Sequence, residues 1–329
     1  MSTDIPVTIE PPPPSDALLP GGVIGGIWRR LFAFLLDAFL LGIVGAIVGA
    51  AFFDTLVRMG PLARVVGFCI ALCYFGLFDS SVGNGQTIGK RFLRLRVVDA
   101  QGAMLSLEEA TLRFIIFAVP FFANGLPLPI SRTPWVVSAL LGIVVFGGGA
   151  ANLYLLIFNR PMRQGLHDFS VNSYVVVTES EGPIISRPFW KPHWAVVGTL
   201  VVLLGAIPAL IVPFLLRKGT FAQMMRDATL VERIDGVQSA AVHETTVFHS
   251  GDSNSAKLLS VDVRWTGEPG NEEQIANQVA RLMIQNDHSI QHYTGMRVAI
   301  IRGYDLGIGS RWASRAFAYS PDEWRARGQ

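Results

Sequence analysis

Asp37 stands in the middle of "RRLFAFLLDAFLLGIVGAIVGA", a run from Arg29 to Ala50 that otherwise reads as one membrane-crossing helix. A charged carboxylate at mid-helix costs about 2.5–3.5 kcal/mol on insertion scales, so it must face the protein interior and find a partner, or hold a proton. Two kinds of chemistry follow. Desolvation favours a neutral carboxyl and a nearby arginine favours the carboxylate, and together they can poise such a group to exchange a proton against a cation. Alternatively, the carboxylate belongs to a polar cluster that locks helices together, although a buried ion pair is by itself weak evidence of stability. Arg30 lies seven residues earlier, on nearly the same helix face and about 10 Å nearer the helix start. A partner from another helix is therefore expected.

That partner is sought in "RPMRQGLHDFSVNSYVVV", where His167 and Asp168 follow a later apolar run on the same predicted side as Arg30. Asp168 beside Arg30 would make a charge pair at the cytosolic boundary. Asp79 ends the second apolar run and is expected at a solvated helix end, with a place in the acidic lining as the alternative. Lys90, Arg91, Arg94 and Arg96, next to an apolar segment, suit contact with anionic lipid headgroups. "GNGQTIGKR" is no phosphate loop, since Asn84 occupies the first glycine position and Arg91 follows Lys90 where Ser or Thr is needed.

The elements that must position these residues are apolar. Half of the 329 residues are hydrophobic and 16% charged, with a mean hydropathy of +0.41, which points to a membrane protein with a polar portion attached. A net charge of +2 argues against a nucleic-acid partner. Crossing about 30 Å of hydrocarbon takes about 20 apolar residues. Five segments qualify, at about 31–53, 62–78, 112–130, 135–158 and 194–216, the third broken by Pro120, Pro127 and Pro129. Lys and Arg gather on one set of flanks, among them Arg29, Arg30, Lys90, Arg91, Arg113, Arg160 and Arg163. Fewer fall on the other set, and the bias puts the N-terminus in the cytoplasm.

Residues 1–23, with "EPPPPSDALLP", read as a disordered Pro-rich cytosolic tail. Residues 178–193 read as a linker. Residues 217–329 read as an extracytoplasmic α+β two-layer domain in αββαββ order, its second helix opened by Asn271 as a cap. Strand-like "RLRVV" and "YVVV" are expected to pair, with Arg96 near Val176. Gly45 and Gly49 form a GxxxG step that lets another helix approach closely. Cys69 and Cys73 are expected to pack in the interior. His243 and His249 are about 20 Å apart along an extended strand, too far for one metal. No metal, cofactor or catalytic set is expected, and so no enzyme.

"WRRLFAFLLD", "GNGQTIGKRFLRLRVVDAQG", "LEEATLRFIIF" and "RQGLHDFSVNSYVVV" resemble, in that order and spacing, the RDD family of bacterial multi-pass membrane proteins, over roughly residues 24–177. The family takes its name from one arginine and two aspartates, which fall here on Arg30, Asp37 and Asp168. One departure is "HDFSVNSYVVV", where the family often has smaller residues after the aspartate. The resemblance implies a bacterial inner-membrane protein and a role in moving cations or small solutes, of cation/proton exchange type. The implied partners are the bilayer and monovalent cations or protons. A scaffold whose outer domain binds a protein of the cell envelope is the rival expectation.

Overall fold

The computed structural model describes residues 22–124, 134–160, 162–180, 183–185, 188–215, 219–247 and 256–327. The Pro-rich tail up to residue 21, Pro127, Pro129 and His249 lie outside the described residues.

The first helix, α1 (Ile27–Ala51), buries Ala33, Asp37, Leu41, Gly45 and Gly49. Residues four apart share one helix face, so α1 presents a single narrow line to the protein, and Asp37 is on it. The rest of the helix is apolar and outward, with Phe32, Phe39 and Ile47 all more than half exposed. Next come α2 (Phe53–Met59), a 3-10 turn at Gly60–Leu62 and α3 (Ala63–Phe78). Cys69 and Cys73 fall on the exposed side of α3 rather than in its packing.

After the short α4 (Ile88–Phe92) and β1 (Leu95–Val98) comes α5 (Leu107–Ala123). It starts earlier than its apolar character suggests, because Ser106 and Glu109 form a reciprocal capping box. That start places Arg113 nearly two turns inside the helix.

The fourth apolar stretch is α6 (Trp135–Gly142), a π-helical segment at Ile143–Gly148 and α7 (Gly149–Phe158). Beyond α8 (Leu166–Ser170) and β2 (Tyr174–Val177), the fifth is α9 (Pro192–Leu200), a second π segment at Val201–Ala206 and α10 (Ile207–Leu215). The two π segments face each other through glycines. A Cβ on Gly205 would stand 2.9 Å from Ile143 Cα, and one on Gly147 would stand 3.1 Å from Val201 Cα.

Among the described residues four helices are long and apolar enough to cross a membrane: Ile27–Ala51, Phe53–Phe78, Val136–Phe158 and Pro192–Ile211. The expected third segment is not among them, since α5 has 17 residues and a charged first turn. It nevertheless runs the whole length of α3. Arg113 near its start meets Asp79 at the end of α3, while the Phe122 carbonyl near its end accepts from Arg64 at the start of α3. Strands β1 and β2 pair antiparallel with Arg96 opposite Val176, as the alternation of polar and apolar residues predicts.

The C-terminal region is α11 (Gly219–Val231), β3 (Val237–Val247), β4 (Ala256–Trp265), α12 (Glu272–Asn286), β5 (Gly295–Asp305), β6 (Ser310–Tyr319) and α13 (Pro321–Arg327). The sheet order is β3-β4-β5-β6, antiparallel except for β4 beside β5. That parallel pair requires a crossover, which α12 supplies. Leu259, Val261, Val263, Val298 and Ile300 pack under Val279, Ala280 and Met283. Asn271 makes no side-chain capping bond; the Glu272 carboxylate instead accepts from the Gly270 N–H at 3.1 Å.

This region sits on the end of α1 opposite Arg30. The tip of the β5–β6 hairpin, closed by the Leu306 N–H donating to the Gly309 carbonyl, enters between α1, α3 and α5. Ile308 lies against Gly42 and Gly45, Tyr304 against Gly49, the Leu306 carbonyl against Gly67, and Gly307 against Phe122. The glycine step of α1 thus receives a hairpin rather than another helix. Arg64 ties the tip down by pairing with Asp305. Arg302 pairs with Asp54 at 2.7 Å and stands over the Phe53 ring.

Because a side chain at Gly67 would collide with the Leu306 backbone, Gly67→Val is expected to eject the tip. In a background lacking Cys69 and Cys73, a cysteine at Leu306 should be protected from maleimide with Gly67 and labelled about tenfold faster or more in Gly67→Val, given an overpacking cost of about 1–3 kcal/mol. Equal labelling rates would refute this seating.

Candidate functional site

At the Arg30 end of the bundle, Asp37, Asp79 and Asp168 are all at most 2% exposed, each held differently. Asp37 accepts from the Tyr74 hydroxyl at 2.6 Å, the Thr87 hydroxyl at 2.6 Å and the Gly89 N–H at 2.7 Å. All three donors are neutral. Thr87 also caps α4 by accepting from the Lys90 N–H. A Cβ on Gly89 would collide with the Ala33 carbonyl and stand 2.9 Å from the Asp37 carboxyl. The glycine is what allows α4 to press onto α1 there.

Asp79 is no solvated helix end. It accepts from Lys90 Nζ at 2.6 and 2.8 Å and from Arg113 Nη1 at 2.8 Å. Asp168 accepts from Arg113 Nε at 2.9 Å and lies 2.8 Å from Arg113 Nη2. It also accepts from the Ser173 hydroxyl at 3.2 Å and the Gly165 N–H at 3.1 Å. Arg113 therefore bridges two buried carboxylates from different parts of the chain.

Arg30 is placed mainly by carbonyls. It donates to Gly25, Arg163 and Val175 at 3.1, 2.6 and 3.0 Å. Its approach to Asp168 is 4.0 Å, so the expected charge pair is there as the longer one, and the close partner of Asp168 is Arg113. Arg163 adopts a left-handed backbone conformation, φ 49°, at the residue whose carbonyl meets Arg30.

The electrostatics follow from burial. His167 is driven down to about 4, first by burial, with Arg113, Arg30 and Lys90 adding to it against the pull of Asp168. It is neutral at pH 7, and Nδ1 bonds Asn152 Oδ1 at 2.9 Å, leaving Nε2 3.4 Å from Asp168. Burial opposes ionisation of Asp168, but the neighbouring positive groups, Arg113 and Arg30 among them, hold its carboxyl well below the usual carboxylate range. Burial pulls the Lys90 ammonium below its ordinary value, with Asp79 offsetting part of that.

Lys90 is thus an interior group rather than a headgroup contact. Arg91 and Arg94 are exposed and Arg96 half-buried. Arg94 pairs with Glu179 at 2.7 Å, and Phe92 beside Arg91 is 78% exposed.

Asp37, Asp79, Lys90, Arg113, His167 and Asp168 line a cavity of about 610 Å³, together with the exposed Arg160, the half-buried Arg163 and the apolar Leu31, Phe34, Phe117, Leu153 and Ile157. Among the described residues no group of His, Cys, Asp and Glu could hold a metal ion. Sequence reasoning missed Arg113 as a site residue, and for Asp79 it preferred a solvated helix end over the acidic lining, its alternative, where Asp79 lies. The available signal was a lone arginine two turns inside an apolar helix, which must find a carboxylate.

Residues 24–172 match the model of the RDD family, so the chain carries an RDD family domain there, and the C-terminal region is unassigned. No curated protein matches the chain.

Removing Arg113 takes from Asp168 its close cation and leaves Asp79 with Lys90 alone. Arg113→Met is expected to cost about 3–5 kcal/mol, read as a large fall in thermal unfolding temperature in detergent, with Arg113→Lys recovering part of it. An unchanged midpoint for Arg113→Met would refute the bridge.

His167 gives a separate pH signature. Its folded value of about 4 lies below the unfolded value of about 6.5, so the unfolded chain binds the extra proton between them. Stability should fall as pH drops from about 6.5 to about 4, by up to about 3 kcal/mol. His167→Gln should flatten that limb in pH-dependent melts.

Proposed function

We propose that the RDD domain is a transport unit, which takes a small charged solute into the cavity at the Arg30 end and passes it along the bundle beside α1 and α5. The observation that carries this reading is the cavity itself, which sets Asp37, Asp79, Asp168, Arg30, Lys90 and Arg113 around one open volume of about 610 Å³. A buried charged wall facing open space within apolar helices is a costly arrangement, and in membrane proteins such groups mark solute and ion paths. Cation/proton exchange at Asp37 is the specific form of the proposal, and it involves no covalent chemistry.

The proposal includes a topology. We count α5 as a fifth crossing beside the four candidate membrane helices, and we place the Arg30 end in the cytoplasm of a bacterial inner membrane from its excess of Lys and Arg. An odd number of crossings accords with the seating of the C-terminal region on the end of α1 opposite Arg30. On this reading the hairpin tip closes the outer end.

One observation favours the scaffold reading. Both oxygens of Asp37 are engaged by three neutral donors, which suits a lock between α1 and α4 better than a site that exchanges partners. The C-terminal region would then hold an envelope protein.

Flux separates the two. Purified full-length chain in proteoliposomes should move protons against sodium or potassium, and Asp37→Asn, checked to be folded, should lower the rate by about tenfold or more, as for loss of a group worth more than about 1.4 kcal/mol to the rate-limiting step. Wild type indistinguishable from empty liposomes would leave the scaffold. A periplasmic reporter fused after Gly219 should be active, and an inactive one would overturn the topology.

A further inference from the structure

The cavity at the Arg30 end has a composition that a small inorganic ion does not need. Its mouth is a slot between α1 and α7, with Trp28, Leu31 and Phe34 on one side and Leu153 and Ile157 on the other. All five are at least 38% exposed and line the cavity. The two helices pack elsewhere, α1 on α4 and α2, and α7 on α9 and α8. Phe117 of α5 stands against Phe34 at the back of the slot, and the exposed side chains of its two walls would meet the hydrocarbon of a membrane.

The charge at its end is one-sided. Asp79 and Asp168 are matched by Lys90 and Arg113, and Asp37 is satisfied by neutral donors. Arg160, exposed, and Arg163, half-buried, line the cavity with no carboxylate partner among the described residues, and Arg30 spends three of its five N–H donors on carbonyls. Formal charge on the lining is therefore in positive excess. Guanidinium groups match phosphate oxygens in fork geometry and do so most strongly where water is scarce. A free inorganic ion gains nothing from the apolar walls. A molecule with an anionic head and an apolar tail would satisfy both parts of the site. About 610 Å³ is of the size that holds a drug-sized ligand, roughly 300–1,000 Å³. It suits a headgroup and the first part of one chain, the remainder lying in the bilayer.

We propose that this slot binds an anionic phospholipid of the surrounding bilayer. Its phosphate lies at Arg160 and Arg163 with the free donors of Arg30 behind, and one acyl chain lies between α1 and α7 along Leu31, Phe34, Leu153 and Ile157. The inference rests on that part of the proposed function which makes the cavity a ligand site, and it does not need the ligand to cross the membrane.

The test is native mass spectrometry of the full-length protein in detergent, with dioleoyl phosphatidylglycerol and dioleoyl phosphatidylcholine supplied in equal amounts. One phosphatidylglycerol per chain should be retained over phosphatidylcholine by about tenfold or more. Arg160→Gln with Arg163→Gln should abolish that preference, and neither side chain has a carboxylate partner among the described residues, so thermal unfolding should stay near wild type. Leu153→Trp, which fills the slot and leaves every charge in place, should lower retention of both lipids.

Equal retention of the two lipids by wild type, or an undiminished preference in the double arginine variant, would overturn the proposal. So would displacement of the lipid by millimolar inorganic phosphate, which would make a free anion the ligand. Ion flux in pure phosphatidylcholine liposomes is scored separately. Retention without flux sinks only transport, and flux without retention sinks only the lipid site.

Discussion

Arg113 is the cation that Asp79 and Asp168 share, and through it the end of α3, the start of α5 and the loop carrying α8 are held at one point. Asp79 also takes Lys90 from α4, so four separate pieces of chain converge on two carboxylates and two cations. Each ion, left alone in this environment, would carry a desolvation penalty of several kcal/mol. Such a cluster is not needed to make the bundle stable, since well-packed apolar side chains can do as well. What it supplies is selection among packings. Sliding α5 along α3 by one turn moves Arg113 by about 5 Å, which takes from Asp168 its close cation and from Asp79 one of its two, a cost no apolar contact would impose.

Asp37 works by a different rule. No cation among the described residues bonds it, and its two oxygens are filled by a phenol, a hydroxyl and a backbone N–H. Charged acceptors form the stronger class of hydrogen bond, so neutral donors suffice once the geometry is close. That closeness comes from Gly89, which brings the first turn of α4 onto the backbone of α1. The aspartate, the glycine and the threonine cap of α4 form one unit, and none of the three has the same meaning without the others.

Much of this frame was legible in the sequence where the signal is local. A carboxylate in an apolar helix announces burial, and alternation in "RLRVV" and "YVVV" announces paired strands. The αββαββ order could be read from two helical and four strand-like stretches. Partner choice was not legible, because Arg30 and Arg113 are equally plausible mates for Asp168 until the helices are placed. The carbonyls of Gly25, Arg163 and Val175, which claim Arg30, have no side-chain signature at all. Asp79 looked like a solvated helix end for the same reason, its partners Lys90 and Arg113 being brought to it by the loop and by α5. The glycines of α1 were recognised as a close-approach surface, but glycine spacing carries no information about whether a helix or a hairpin makes the approach.

The buried line of α1 connects these observations. Ala33 and Asp37 meet α4, while Gly42, Gly45 and Gly49 meet the hairpin tip, all within one helix that is otherwise apolar and exposed. Lipid-facing apolar surface gives little preference for one rotation over another, since one leucine in hydrocarbon is as good as the next. Rotation is therefore decided at the two ends. Turning α1 by one residue, about 100°, would carry Asp37 out of its three hydrogen bonds into lipid and drive bulky side chains into the space the hairpin occupies. The polar contact fixes α1 near Arg30 and the steric contact fixes it at the far end. Between them they hold the helix that forms one side of the cavity.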